Sequence, residues 1–221
     1  MAYGYFDMLA REIMEIGDWR RVRELPLVAP SRDFIAMQLQ LEAMAAAARH
    51  DAAGASAAAA KLTTLAAEHA AKPFEDHPFV QKMLAIQAAQ AEAFAARAAG
   101  DDARALARLH AAAVIENGIE SLSQPPYPAI PAHELLGNVL LAMGAGHAAE
   151  ARDEYLLTLQ RTPNRALAIY GIARAAEILG DTATAATRYT EFVELWKHAD
   201  RGLPQLRHAR EFVRRTGKAK R

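Results

Sequence analysis

The chain of 221 residues has no cysteine, which removes disulfides, thiolate nucleophiles and Cys-based zinc sites, and with them a disulfide-stapled secreted scaffold. It has no excess of either charge: 26 Lys and Arg stand against 26 Asp and Glu, so no global field points to nucleic acid, an acidic substrate or a membrane surface. Stretches of Val, Ile and Thr alternating at period two, the mark of half-buried strands, are missing. Unbroken apolar runs are missing as well. The start "MAYGYFDMLAREIMEIGDWRRV" has acidic residues spaced through it and no apolar core of signal type. The Ala-rich run "EAMAAAARHDAAGASAAAAKL" is interrupted by Arg49, His50, Asp51 and Lys61, which rules it out as a transmembrane span. A soluble, cytoplasmic protein is the expectation.

Alanine is what the chain has in quantity, at about a quarter of all residues, within a hydrophobic share of 52%. Alanine is the strongest helix former and buries without side-chain entropy, so the composition predicts an all-α protein with a sizeable core.

Three apolar runs stop at Gly-Asp: "EIGDWRRV", "AAGDDARALARL" and "ILGDTATAATRY". A glycine just past a helix takes the left-handed conformation that closes the last turn, and an aspartate after it caps the next helix. Gly17-Asp18, Gly100-Asp101 and Gly180-Asp181 are therefore read as tight hinges between antiparallel helices. At Arg49-His50-Asp51 the cap is present, but His50 stands in the glycine's place.

Around the later hinges, Gly146, Ala151 and Tyr155 recur as Gly180, Ala185 and Tyr189, each pair 34 residues apart. Gly100, Ala105 and Leu109 repeat the pattern more loosely. A period of 34 with a small residue and an aromatic four positions later resembles the tetratricopeptide repeat (TPR) family, in its bacterial type. The best match is "ELLGNVLLAMGAGHAAEARDEYLLTLQRTPN", with Leu136-Gly137 as the packing pair of the first helix and Pro163 as the terminating proline. The next unit matches through Ala173, Gly180, Ala185 and Tyr189, with Lys197 where a proline would fall. Gly144-Ala145-Gly146 reads as a two-residue insertion in a hinge, and neither unit has the family's Trp.

The resemblance implies one domain over residues 1–221: a right-handed superhelical array of antiparallel hairpins at 131–163 and 164–198, with looser ones at 3–25, 32–71 and 75–118. The stripe Leu203, Leu206, Ala209, Phe212 and Val213 predicts a capping helix at 204–215. No polar-faced unit caps the other end, where Tyr3, Tyr5, Phe6 and Met8 stand. Two readings follow: the chain is the C-terminal part of a longer array, or this hairpin makes a homodimer contact.

Motifs for chemistry fail on their context. "GAGHAA" satisfies a dinucleotide spacing but follows a helix rather than a strand. "HELLG" starts as a zinc motif but has Gly137 at the second ligand position. Glu75, Asp76 and His77 before Pro78 read as a helix cap. No cofactor, no metal and no catalytic residue is expected, so the chain is read as a non-enzyme. The proline-rich "SQPPYPAIP", residues 123–131, reads first as a stiff connector, with a lid over the groove of the array or a P-x-x-P docking motif as the alternatives.

In TPR proteins the first helices of successive hairpins line a concave ligand face. Leu136, Gly137, Leu140 and Met143 make the packing stripe of one such helix, leaving Glu134, Asn138 and Leu141 on another face. In the next, Ile169, Ile172, Ala173 and Ala176 pack while Tyr170, Arg174 and Glu177 point away; the earlier unit offers Gln90, Phe94 and Arg97. This mixture suits a peptide or a partner protein, and the predicted function is a protein-protein interaction scaffold. A dicarboxylate clamp is disfavoured, because Asn138 matches but Glu134 and Gly171 stand where bases are needed. The alternative is nucleic-acid binding through Lys218, Lys220 and Arg221 with Arg210, Arg214 and Arg215.

Overall fold

The computed structural model describes residues 2–26, 31–72, 78–119, 128–200 and 202–218, with the side chains of 2, 3 and 218 left aside. The Glu75-Asp76-His77 group, most of the proline-rich segment and the last basic residues lie outside the described residues. Within them the chain is helical and has no strand. It divides into two compact units, residues 1–132 and 133–221.

In the first unit, α1 (Ala2–Ile16) and a 3-10 segment (Trp19–Glu24) precede α2 (Arg32–Ala48), α3 (Ala52–Ala70), α4 (Pro78–Ala98) and α5 (Asp102–Asn117). Each of these helices packs on the next one along the chain from α2 to α5, and α2 also packs on α4. The interface is built from small residues: Ala36, Ala43, Ala58, Ala59, Ala88 and Ala91 surround Leu62 and Leu84. Alanine at these contacts lets the helices approach closely while removing apolar surface from water.

The second unit continues α6 (Ala132–Met143) into α7 (Ala148–Arg161), α8 (Ala166–Ile178), α9 (Thr182–Leu195) and α10 (Pro204–Lys218). Here α7 packs on α8, α8 on α9 and α9 on α10. Ile169, Ala173 and Ala176 of α8 meet Ala185, Tyr189 and Phe192 of α9 and Leu206, Ala209 and Phe212 of α10 in one core.

The hinges explain why the helices end where they do. Gly100 and Gly180 both have φ of +79°, and His50 adopts the same left-handed region at +58°. At each of the three, the next residue sends its backbone N–H five residues back, from Asp51 to Ala46, Asp101 to Ala96 and Asp181 to Ala176, all at 2.9 Å. That bond closes a Schellman turn. The same aspartates then cap the following helix through their side chains, accepting from Gly54, Arg104 and Thr184 N–H at 2.8, 2.9 and 3.0 Å. The hinge with histidine in the glycine's place is thus built like the others, with backbone strain stored at His50.

Several expectations are corrected. Asp18 does not cap; its carboxylate is taken by Arg20 at 2.9 and 3.1 Å. The segment after it is a 3-10 helix rather than the second α-helix of a hairpin, because Pro26 disfavours helix before it and leaves too few residues after Gly17 for an α-helix to pay its nucleation cost. The hinge glycine between α6 and α7 is Gly144, at φ +119°, while Gly146 lies in the 3-10 turn Ala145–His147. Phe6 is not at a surface but in the core at 1% exposure, edge-on to Phe34 at 5.0 Å, although Tyr5 and Met8 are exposed.

Candidate functional site

The structure sorts the nine residues expected on a ligand-facing surface into interior and accessible groups. Gln90 is interior: it is fully buried, accepts from Gln40 Nε2 and donates to the backbone oxygen of Ile130 at 3.2 Å. α4 has α2, α3 and α5 around it, which leaves little of its circumference to water, so the polar face seen in its sequence became a buried amide network. Phe94 and Arg97 are half-buried, and Arg97 lies 3.4 Å from Asp102.

In the second unit Glu134 is also interior, at 1% exposure. Arg165, just before α8, clamps both of its oxygens with two bonds of 2.8 Å. This two-pronged geometry satisfies a carboxylate that burial would otherwise penalise. Asn138 is exposed, but its oxygen accepts the Tyr155 hydroxyl at 2.8 Å; Leu141 is half-buried.

Tyr155 marks the centre of this unit. It is 1% exposed, and its ring runs past two glycines 34 residues apart. A Cβ on Gly137 would come within 2.9 Å of the ring, and one on Gly171 within 2.6 Å of its Cε1. Both glycines are where they are because the ring needs the backbone of α6 and of α8 at contact distance.

The accessible group is on α8. Tyr170, Arg174 and Glu177 are each partly exposed and share one side of the helix. The Tyr170 ring rests on Phe192 at 5.1 Å and Tyr189 at 5.8 Å, and meets His208 of α10 edge-on at 6.2 Å. Its outer part only is free, a partial correction to the reading of this side chain as facing away from the core. Glu177 is the hub: its Oε2 accepts from Arg174 at 2.6 Å, from the Tyr189 hydroxyl at 2.7 Å and from His208 Nε2 at 2.9 Å, and Arg215 lies 3.8 Å from its other oxygen. Burial pushes the Glu177 pKa up, but the bonds from Tyr189, His208 and Arg174 outweigh it and hold the carboxyl below its ordinary value. Burial, followed by the bond to the Glu177 carboxylate, pushes the Tyr189 phenol up, so it stays protonated and donating.

Tyr189, His208 and Arg215 were not among the residues expected here. Signals existed for two of them: Tyr189 is the recurring aromatic of its unit in the sequence, and His208 stands 34 residues after Arg174, the same offset. The cluster is an ordered, mixed-charge surface with an aromatic floor. Among the described residues no group of three or more His, Asp or Glu is placed to hold a metal ion, and no helix is long and apolar enough to cross a membrane. No protein-family model matches the chain, and no curated protein or solved structure is significantly similar to it.

Proposed function

We propose that the protein is a non-catalytic interaction scaffold of tetratricopeptide type, acting in the cytoplasm and binding a segment of a partner protein on the α8–α10 side of its second unit. The right-handed superhelical stacking of such hairpins belongs to the same proposal. What carries the functional reading is that Tyr170, Arg174 and Glu177 sit partly exposed on one helix face and are already held against Tyr189 and His208, Tyr170 by ring contacts and the other two through hydrogen bonds around Glu177. Side chains ordered before binding cost less entropy to engage, and Tyr and Arg are the residue types that most often dominate interface energy. The architectural part rests on the 34-residue spacing of Gly137 and Gly171, which admit one Tyr155 ring between them.

The test is selection of peptides from a random display library on the immobilised full chain, followed by titration of the best binder into wild type and Arg174→Glu. A loss of about thirtyfold or more is expected at an interfacial arginine, with the far-ultraviolet spectrum unchanged. Equal affinity in the folded variant would remove the α8 face as the site.

A further inference from the structure

We propose that the concavity between residues 19–26 and α2, in the first unit, is a binding site for a small organic anion that carries a planar ring. It is a broad concavity open to solvent, with a volume of about 540 Å³, within the size range of small-molecule sites.

One wall comes from α2, whose Gln38, Glu42, Ala45 and Arg49 fall at spacings of four, three and four and so lie on one helical stripe. The opposite wall is the 3-10 segment and the two residues that follow it, with Trp19, Val22, Leu25 and Pro26 half-buried. An indole and a proline ring beside aliphatic side chains are the side-chain types on which a planar ring can stack.

The concavity is lined by three arginines and one carboxylate, Glu42, so its positive charge is only partly compensated from within. Of the lining arginines, Arg20 is held by Asp18 at 2.9 Å; its neighbour Arg21, outside the lining, is held by Glu12 at 2.7 Å and Glu24 at 2.9 Å. Arg23 and Arg49, which also line the space, are exposed and paired with no described carboxylate. Arg49 is not needed to finish α2 either, because Ala46 and Ala47 oxygens already accept from the backbone N–H groups of Arg49, His50 and Asp51. Two guanidiniums on a recessed surface focus positive potential and offer the fork geometry that matches carboxylate or phosphate.

Glu42 sets the remaining requirement. Gln38 donates to its Oε1 at 2.9 Å, which leaves Oε2 to accept from an N–H or O–H of a ligand. Glu42 and Arg49 are seven residues apart, roughly 10 Å along the helix, so the anion and the donor belong at opposite ends of the molecule. A mononucleotide and an aromatic carboxylate share this chemistry.

The full chain with Trp196→Phe leaves Trp19 as its one indole, since the sequence has two tryptophans. Adenosine monophosphate, indole-3-acetate and ringless inorganic phosphate are titrated while Trp19 fluorescence is followed, with calorimetry for the indole ligand. At least one ring-bearing anion is expected to saturate the signal at least tenfold more tightly than phosphate does. Arg23→Gln with Arg49→Gln should weaken it by tenfold or more, because charge-assisted bonds are lost. Response to the nucleotide alone identifies a phosphate ligand, and response to indole-3-acetate alone a carboxylate. The proposal is overturned if neither ringed anion saturates up to about 1 mM, if phosphate binds as tightly as they do, or if the folded double variant binds as wild type. Should the double variant melt early, Arg23→Gln alone carries the comparison.

Discussion

Replacing Gly171 by alanine should destabilise the protein, although an alanine in mid-helix is ordinarily favourable. The added Cβ would fall 2.5 Å from Tyr155 Cε2 and 2.6 Å from Cε1, against the 3.5–4.0 Å of a normal carbon contact. The ring would have to retreat by about 1 Å. It cannot do so cheaply, because on the α6 side a Cβ at Gly137 would already stand only 2.9 Å from the same ring. The ring is also tethered, its hydroxyl bonded to Asn138 at 2.8 Å. Overpacking of this kind costs about 3 kcal/mol at the upper end of its usual range. Exchanging glycine for alanine in a helix returns about 1 kcal/mol. The net is about 2 kcal/mol, or a fall in Tm of about 4–8 °C for a chain of this size. Thermal and urea unfolding should be run on Gly171→Ala, Tyr155→Leu and the double variant. In the Tyr155→Leu background the clash is gone, and Gly171→Ala should turn neutral or stabilising. A Gly171→Ala effect of the same sign and size in both backgrounds would refute the argument.

Two further outcomes follow from the hinges and from the α8 cluster. His50→Gly should raise stability by about 0.5–1 kcal/mol, because relief of the left-handed backbone at φ +58° exceeds the entropy that glycine costs; a lower urea midpoint would count against strain at this hinge. Glu177 has a depressed pKa, so its contribution is present above the ordinary carboxyl value of 4.5 and is lost as pH falls through the lower folded value. Wild type should therefore lose Tm more steeply than Glu177→Gln on acidification below about pH 4.5, and parallel curves would show that the bonds from Tyr189 and His208 do not bias its ionisation.

The positions of the helices were legible because their ends are written locally. A helix that stops at glycine in the left-handed region and restarts at a capping aspartate needs no long-range information, and the hinges at 50–51, 100–101 and 180–181 are built by the same bonds. Even His50 could be read through, since Asp51 still caps. The 34-residue offset placed Ala151 with Ala185 and Tyr155 with Tyr189, all 0–1% exposed, but the offset to Gly146 was coincidental, since the glycine with positive φ is Gly144. The pair that matters for packing, Gly137 and Gly171, has the same period, but only Gly137 reads as a packing residue in the sequence, while Gly171 is notable there only for standing where a base would be needed. Only the ring between them shows why a larger residue is excluded.

The side-chain faces were harder to read because helical periodicity gives a direction and not a neighbour. Glu134 and Glu177 both fell on the polar side of their helices, yet one is interior and the other is not. The difference lies in their arginines. Arg165 spends Nε and one terminal nitrogen on Glu134, both at 2.8 Å, so that pair is closed and buried. Arg174 reaches Glu177 through a single terminal nitrogen, and its remaining guanidinium nitrogens are not committed to that carboxylate. No spacing in the sequence announces this, because Arg165 lies 31 residues from Glu134, outside both the helical and the repeat period. The same ion-pair chemistry thus produces a buried two-pronged clamp where the arginine arrives from the turn before α8, and a one-pronged, partly exposed pairing shared with His208 where it is on the same helix as its partner. Under the proposed function it is the second arrangement, rather than the closed Glu134 clamp, that a partner's backbone carbonyl or carboxylate would join, and the Arg174→Glu titration is what tests that choice.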